Sequence, residues 1–185
     1  MNMGSRKGQV LVEALVAITL VTVGLLGIFT LISRSLHLHR DVTMKATAVY
    51  LAAEGIEIVR HILDTNIAQG IPWNSKIAPG ASEVSYEVDY ACFDPSLGAA
   101  GCAQIGGEST TPLTFDSATG IYYYGDIMNT PFMRTVGVTQ ELENAIQKLG
   151  DAIFVSSRVR WVRDGEEESV YLTHRFYNWR KRPET

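Results

Sequence analysis

Residues that carry small-molecule chemistry are few in this chain and badly spaced for it. There are two cysteines, Cys92 and Cys102, and four histidines, His37, His39, His61 and His174. No C-x-x-C pair and no neighbouring histidine pair occurs, which excludes the common zinc sites. His37 and His39 stand two apart in a helical stretch and so project to different sides. No serine sits in a G-x-S-x-G elbow, and no glycine-rich phosphate loop follows a strand. The sequence thus predicts no catalytic centre, no metal and no cofactor, and the expected protein is not an enzyme. Charge is scarce as well, at 19% of residues with a net charge of -4. That balance lacks the basic surplus of a nucleic-acid binder, and a hydrophobic share of 46% argues against wholesale disorder. A chain of 185 residues suits one globular domain with appendages.

What the chain does have is concentrated near its start. Val10 to Ile32 reads VLVEALVAITLVTVGLLGIFTLI. At about 1.5 Å per residue, a helix of that length crosses a hydrocarbon layer of roughly 30 Å. Arg6 and Lys7 precede it, and the positive-inside bias places the amino terminus in the cytoplasm and everything after Ser33 outside. Arg34 and Arg40 follow the run and pull the other way. A removable secretory signal fits poorly, because the run exceeds the usual core of about 7 to 15 residues and Thr30 to Ser35 offers no A-x-A-like cut. An ordinary single-pass anchor does not explain Glu13. A carboxylate inside an apolar helix costs roughly 2.5 to 3.5 kcal/mol even on lenient insertion scales, so it calls for a function and a partner.

Gly8, then Gln9-Val10-Leu11-Val12-Glu13, then a long apolar helix after a short basic leader, resembles the processing motif of type IV pilins and type II secretion pseudopilins. The resemblance implies that a membrane prepilin peptidase cuts after Gly8 and methylates the new terminus at Gln9. It also implies that Glu13 pairs with the terminal amine of a neighbouring subunit and sets the register of a filament. The chain departs from the family at Gln9, where phenylalanine is usual. Glycine before the cut suits a backbone that must enter a protease cleft extended. A carboxylate facing an ammonium in an apolar core is favourable only in good geometry, and one left alone is strongly penalised. The implied life history is a single-pass inner-membrane protein with an extracytoplasmic head, later moved into a cell-surface or periplasmic filament. Its implied partners are other pilin subunits, the prepilin peptidase, the membrane, and pilus or secretion platform proteins. The competing expectation is a membrane-anchored extracellular binding module that does not polymerise.

After Ser33 the helical pattern turns amphipathic. Val42, Val49, Ile56 and Leu63 recur every two turns, with Ala52, Ala53 and Val59 between them. A helix from Gln9 to about Asp64 would be about 80 Å long. Glu54, Glu57, Arg60 and Asp64 read as a solvated face with ion pairs at helical spacing, not as a metal or catalytic cluster. Gly24, Gly27 and Gly55 are small spots that permit close helix approach. Past Asn66, Gly70, Pro72, Pro79 and Gly80 break the helix. Glu83 to Tyr90 alternates as a half-buried strand with Val84, Tyr86, Val88 and Tyr90 on one face. Leu113 to Phe115 and Ile121 to Tyr124 flank Asp116-Ser-Ala-Thr-Gly120 as a hairpin. Phe132 to Val138 reads as a strand, and Gln140 to Leu149 as a short helix or loop.

Ala152 to Arg163 and Ser169 to Tyr177 flank Asp164-Gly165, a strong hairpin signal. Glu166, Glu167 and Glu168 read as solvated turn residues. The expected fold is therefore α+β, a long amino-terminal hydrophobic helix packed by its later half on an antiparallel β-sheet head. Its expected segments are a leader at 1–8, a membrane or filament-core helix at 9–33, an amphipathic continuation at 34–65 and the head at 66–185. LAAEGIEIVR, Leu51 to Arg60, and the closing Phe176-Tyr177-Asn178-Trp179-Arg180 resemble minor-pilin-like sequences. Outside the cytoplasm, Cys92 and Cys102 are expected to close a disulfide loop worth about 2 to 3 kcal/mol.

Overall fold

The structure, a computed structural model, describes residues 3–75, 77, 82–92, 102–125, 130–143 and 148–178. Pro79, Gly80, the span between the two cysteines and the closing Trp179-Arg180 lie outside the described residues. One helix, α1 (Met3–Gln69), opens the chain. It holds no proline, so nothing breaks its hydrogen-bond ladder before Gly70. There Gly70 takes a φ of 73°. Its N–H donates to the Ile67 carbonyl at 3.1 Å, and the Ile71 N–H donates to the Asn66 carbonyl at 3.1 Å. These two bonds form a Schellman cap, which needs the left-handed conformation that glycine adopts without a Cβ penalty. Asp64 is therefore not the end; the cap at Gly70 sets it.

Two compact units divide the chain, one ending at Met44 and the other beginning at Lys45. In the first unit the large apolar side chains of α1 are exposed. In the second, the rest of α1 packs on an antiparallel sheet. Its strands are β1 (Val84–Val88), β2 (Cys102–Ile105), β5 (Met133–Glu143), β6 (Lys148–Arg163) and β7 (Glu166–Tyr177), in the order β2-β1-β5-β6-β7. A separate hairpin joins β3 (Thr114–Asp116) to β4 (Ile121–Tyr123). The α+β layout expected from the sequence is the one observed.

Strand register decides which side chains meet the helix. Tyr86 lies opposite Val136, Val136 opposite Ser157, and Ser157 opposite Leu172, so this row shares one face. Val88, Val138, Ile153, Val155, Val159 and Trp161 are buried with it. From α1 the buried set is Ala48, Leu51, Ala52, Ile56, Ile58, Val59, Ile62, Leu63 and Asn66. Of the expected stripe, Ala52, Ile56, Val59 and Leu63 are buried, while its earlier members are not. Val42 is 58% exposed and Val49 42%, because the helix turns the Ala48–Ala52–Val59 side to the sheet. That side carries the small residues, and small residues let the backbones come close. Gly55 marks the nearest approach: a Cβ there would lie 2.7 Å from Ser157 Oγ and 3.0 Å from Val136 Cγ2.

Three further expectations change. Tyr90 does not share the β1 face, because the strand ends at Val88 and a single 3₁₀ turn, Tyr90–Cys92, leaves the ring exposed. Gln140 to Leu149 is not a short helix where it is described. Leu142 pairs with Leu149 and Glu143 with Lys148, after a bulge between Gln140 and Leu142, so the β5–β6 hairpin carries the segment as strand. Glu166, Glu167 and Glu168 belong to β7, whose turn is Asp164-Gly165 alone. Asp164 and Gly165 both have positive φ, 50° and 88°, the signature of a type I′ turn.

Candidate functional site

The functional residues read from the sequence fall in two places. Gly8, Gln9 and Glu13 lie on the early part of α1 and are exposed. Gln9 and Glu13, four apart, share a helix face. An added Cβ at Gly8 would meet nothing within 4 Å, nor would one at Gly24 or Gly27. Glycine at these three positions answers no packing demand among the described residues.

From Gly8 onward α1 is long and apolar enough to cross a membrane. Its polar side chains are handled locally. The hydroxyls of Thr19, Thr22 and Thr30 donate to the carbonyls of Val16, Ile18 and Leu26 at 2.7 to 2.8 Å. Such back-bonding leaves no hydroxyl proton unsatisfied, as lipid requires. Glu13 has no equivalent. Its neighbours one turn away, Gln9, Val10, Val16 and Ala17, carry no positive charge. Among the described residues no hydrogen bond or ion pair engages it. Arg34, His37, His39 and Arg40 follow the apolar run as an exposed polar band.

In the head, Cys92 and Cys102 form a disulfide with their Cα atoms 5.2 Å apart. It ties the 3₁₀ turn after β1 to the start of β2, whose Cys102 lies in register with Val88. Asp89, 2% exposed, stands beside this tie. One of its carboxylate oxygens accepts the Ala91 N–H at 2.9 Å and the other the Tyr124 N–H at 3.0 Å. The disulfide turn and the segment after β4 are therefore held by one buried acid.

Sequence reasoning missed the polar centre of the head. Arg134, 0% exposed, donates from Nη1 to the Leu51 carbonyl at 3.1 Å and to Glu54 at 3.0 Å, and from Nη2 to the Val88 carbonyl at 2.5 Å. The guanidinium thus joins α1, β1 and β5 through one fork. Tyr124 Oη donates to the Arg134 carbonyl at 2.7 Å. Burial, with a smaller contribution from the Glu87 charge, pushes the Tyr124 phenol well above its ordinary value, and Arg134 only partly offsets this. Glu54 is thus no part of the solvated face assigned to it. Glu57, Arg60 and Asp64 are: Arg60 pairs with Glu57 at 3.5 Å and Asp64 at 4.0 Å, all largely exposed. One signal pointed to Arg134, since it is in phase with Val136 and Val138 on a strand whose inward face is otherwise apolar.

Among the described residues, no cluster of three histidines, cysteines or carboxylates could hold a metal ion. No protein-family model, curated protein or solved structure matches this chain.

Proposed function

We propose that the chain is an assembly subunit of a type IV pilus-like filament or a related secretion pseudopilus. It is stored as a single-pass membrane protein, cut after Gly8 by a prepilin peptidase, and assembled through its stem. The observation that carries this reading is the exposed apolar surface of α1 with one acid, Glu13, that no described residue of its own chain partners. A bilayer of about 30 Å takes about 20 helical residues. Large apolar side chains remain exposed from Val10 through Ile32 and again at Leu36, Leu38 and Val42. Lipid covers the first group, and neighbouring stems account for both groups and for the acid. In this arrangement the amine of Gln9 on one subunit meets Glu13 on the next. That pair sets register more than it adds stability, because its desolvation nearly offsets its attraction.

Mass spectrometry of the native protein, from cells with an active prepilin peptidase, tests the cut: the mature chain is expected to start at Gln9. A different start sinks the proposal. Glu13→Ala should insert into membranes at the normal level and fail to enter filaments. Gly8→Ala separates this reading from a binding module that never polymerises. The methyl meets no neighbour, so the variant folds, and it should remain uncut and unassembled. A module needing only its anchor would keep its activity.

A further inference from the structure

β7 is the last strand of the sheet, and among the described residues no strand pairs with its outer side. Its hairpin decides which backbone groups face outward. A two-residue turn with positive φ at Asp164 and Gly165 makes the flanking pair, Arg163 and Glu166, exchange both N–H···O=C bonds. Alternation then sends the even-numbered residues of β7 to β6. The N–H and C=O groups of Glu167, Ser169, Tyr171, Thr173, Arg175 and Tyr177 point out of the sheet. The strand runs 12 residues in continuous register, with no bulge, proline or lysine to blunt it. Those are usual defences of a sheet edge, as are other charges, which here sit only near its two ends, at Glu166, Glu167, Glu168 and Arg175.

We propose that this edge pairs with the same edge of a second copy, antiparallel, about a two-fold axis through Tyr171. Such an axis places Tyr171 opposite Tyr171 and Ser169 opposite Thr173, each pair drawn from residues whose backbone groups are free to bond outward. It also places Glu167 opposite Arg175 on one face, and on the other Glu168 opposite His174 and Val170 opposite Leu172. The strand begins acidic and ends basic, so it is complementary to itself only when reversed. Centring the axis on Ser169 or Thr173 separates Glu167 from Arg175, so charge selects Tyr171. The chain enters the head at Lys45, whose Nζ lies 3.4 Å from Glu168 at the acidic end. The axis puts the two Lys45 residues toward opposite ends of the joined strands. The inference rests on β7 alone and stands whether or not the chain forms filaments.

Cysteine crosslinking of the full chain in mild detergent tests it. Opposed residues in a bonded antiparallel pair have Cα atoms about 5.5 Å apart, within disulfide reach. Tyr171→Cys should form a covalent dimer on mild oxidation. Ser169→Cys and Thr173→Cys should each fail alone and crosslink when mixed. Thr173→Pro removes an outward donor while leaving the bonds to β6 intact. The hairpin should stay folded by circular dichroism while non-covalent dimer falls at least tenfold. Equal crosslinking at all three positions, none at Tyr171→Cys, or an undiminished dimer in folded Thr173→Pro would each overturn the proposal.

Discussion

Replacing Arg134 measures what holds the helix to the sheet. The guanidinium is fully buried, while the Glu54 side chain is 35% exposed. In Arg134→Met the bulk remains and the donors go. Glu54 then regains water, so the ion pair itself contributes no more than about 1 kcal/mol after screening. The Leu51 carbonyl sits inside α1 with its own helical bond. The Val88 carbonyl is left as a buried acceptor without this partner, which costs roughly 1 to 3 kcal/mol. Arg134→Met should therefore cost about 2 to 3 kcal/mol. Arg134→Ala adds a cavity and should reach roughly 4 to 5 kcal/mol. Glu54→Gln keeps an acceptor for Nη1 but leaves the buried guanidinium without that counter-charge, and should cost about 1 to 3 kcal/mol. Urea unfolding of the full chain in mild detergent, followed by fluorescence, reads these values, since Trp161 is 1% exposed in the head core. A Glu54→Gln loss as large as that of Arg134→Ala would refute the reasoning, because it would make the ion pair, not the carbonyl bonds, the main term. So would an Arg134→Met variant as stable as the parent.

Gly55→Ala gains about 1 kcal/mol of helix propensity, yet its methyl would press on Ser157 Oγ and Val136 Cγ2 at 2.7 and 3.0 Å. Overpacking of that kind costs about 1 to 3 kcal/mol, so the variant should unfold at lower urea, and adding Ser157→Ala should restore part of the loss; a Gly55→Ala more stable than the parent would show that the seam yields. Burial holds the phenols of Tyr124 and Tyr86 above their ordinary value of 10.0. The folded chain then keeps protons that the unfolded chain releases, so their contribution is intact below about pH 10 and lost as pH rises beyond it, most steeply through Tyr124, at up to roughly 1.4 kcal/mol per pH unit. Tyr124→Phe should make the decline in unfolding free energy above pH 10 visibly shallower, and an unchanged slope would remove Tyr124 as its source.

How far the sequence could be read depended on which force shaped each segment. The first part of α1 was legible because a continuous apolar run of that length, without proline, leaves few alternatives to a helix long enough to cross a membrane. The Asp164-Gly165 hairpin was legible because a two-residue turn with positive φ admits few residue types. Gln140 to Leu149 misled, since Gln140-Glu-Leu-Glu-Asn has fair helix propensity and only cross-strand pairing in the β5–β6 hairpin, Leu142 with Leu149, makes it strand. The later α1 stripe, Ala52, Ile56, Val59 and Leu63, was legible, but at its start Val49 outranks Ala48 in hydrophobicity although Ala48 is the buried one. Packing distance, set at Gly55, chose the smaller side. Arg134 went unseen because its partners include two backbone carbonyls, which leave no trace in side-chain spacing.

The two units satisfy their polar side chains differently. In the head, buried charges meet partners within the same chain: Arg134 finds Glu54, and Asp89 finds the N–H groups of Ala91 and Tyr124. In the stem, Thr19, Thr22 and Thr30 are likewise satisfied by their own helix. Glu13 alone stands apart, and helix geometry explains why. A carboxylate offers only acceptors, and a helix interior has no spare N–H to give it, because each is already bonded to a carbonyl four residues back. Back-bonding serves a threonine because a hydroxyl donates to carbonyls, which can accept twice. An acid at Glu13 must therefore draw its donor from outside the helix. Under the proposed function that donor is the amino terminus that a cut after Gly8 would expose on a neighbouring subunit.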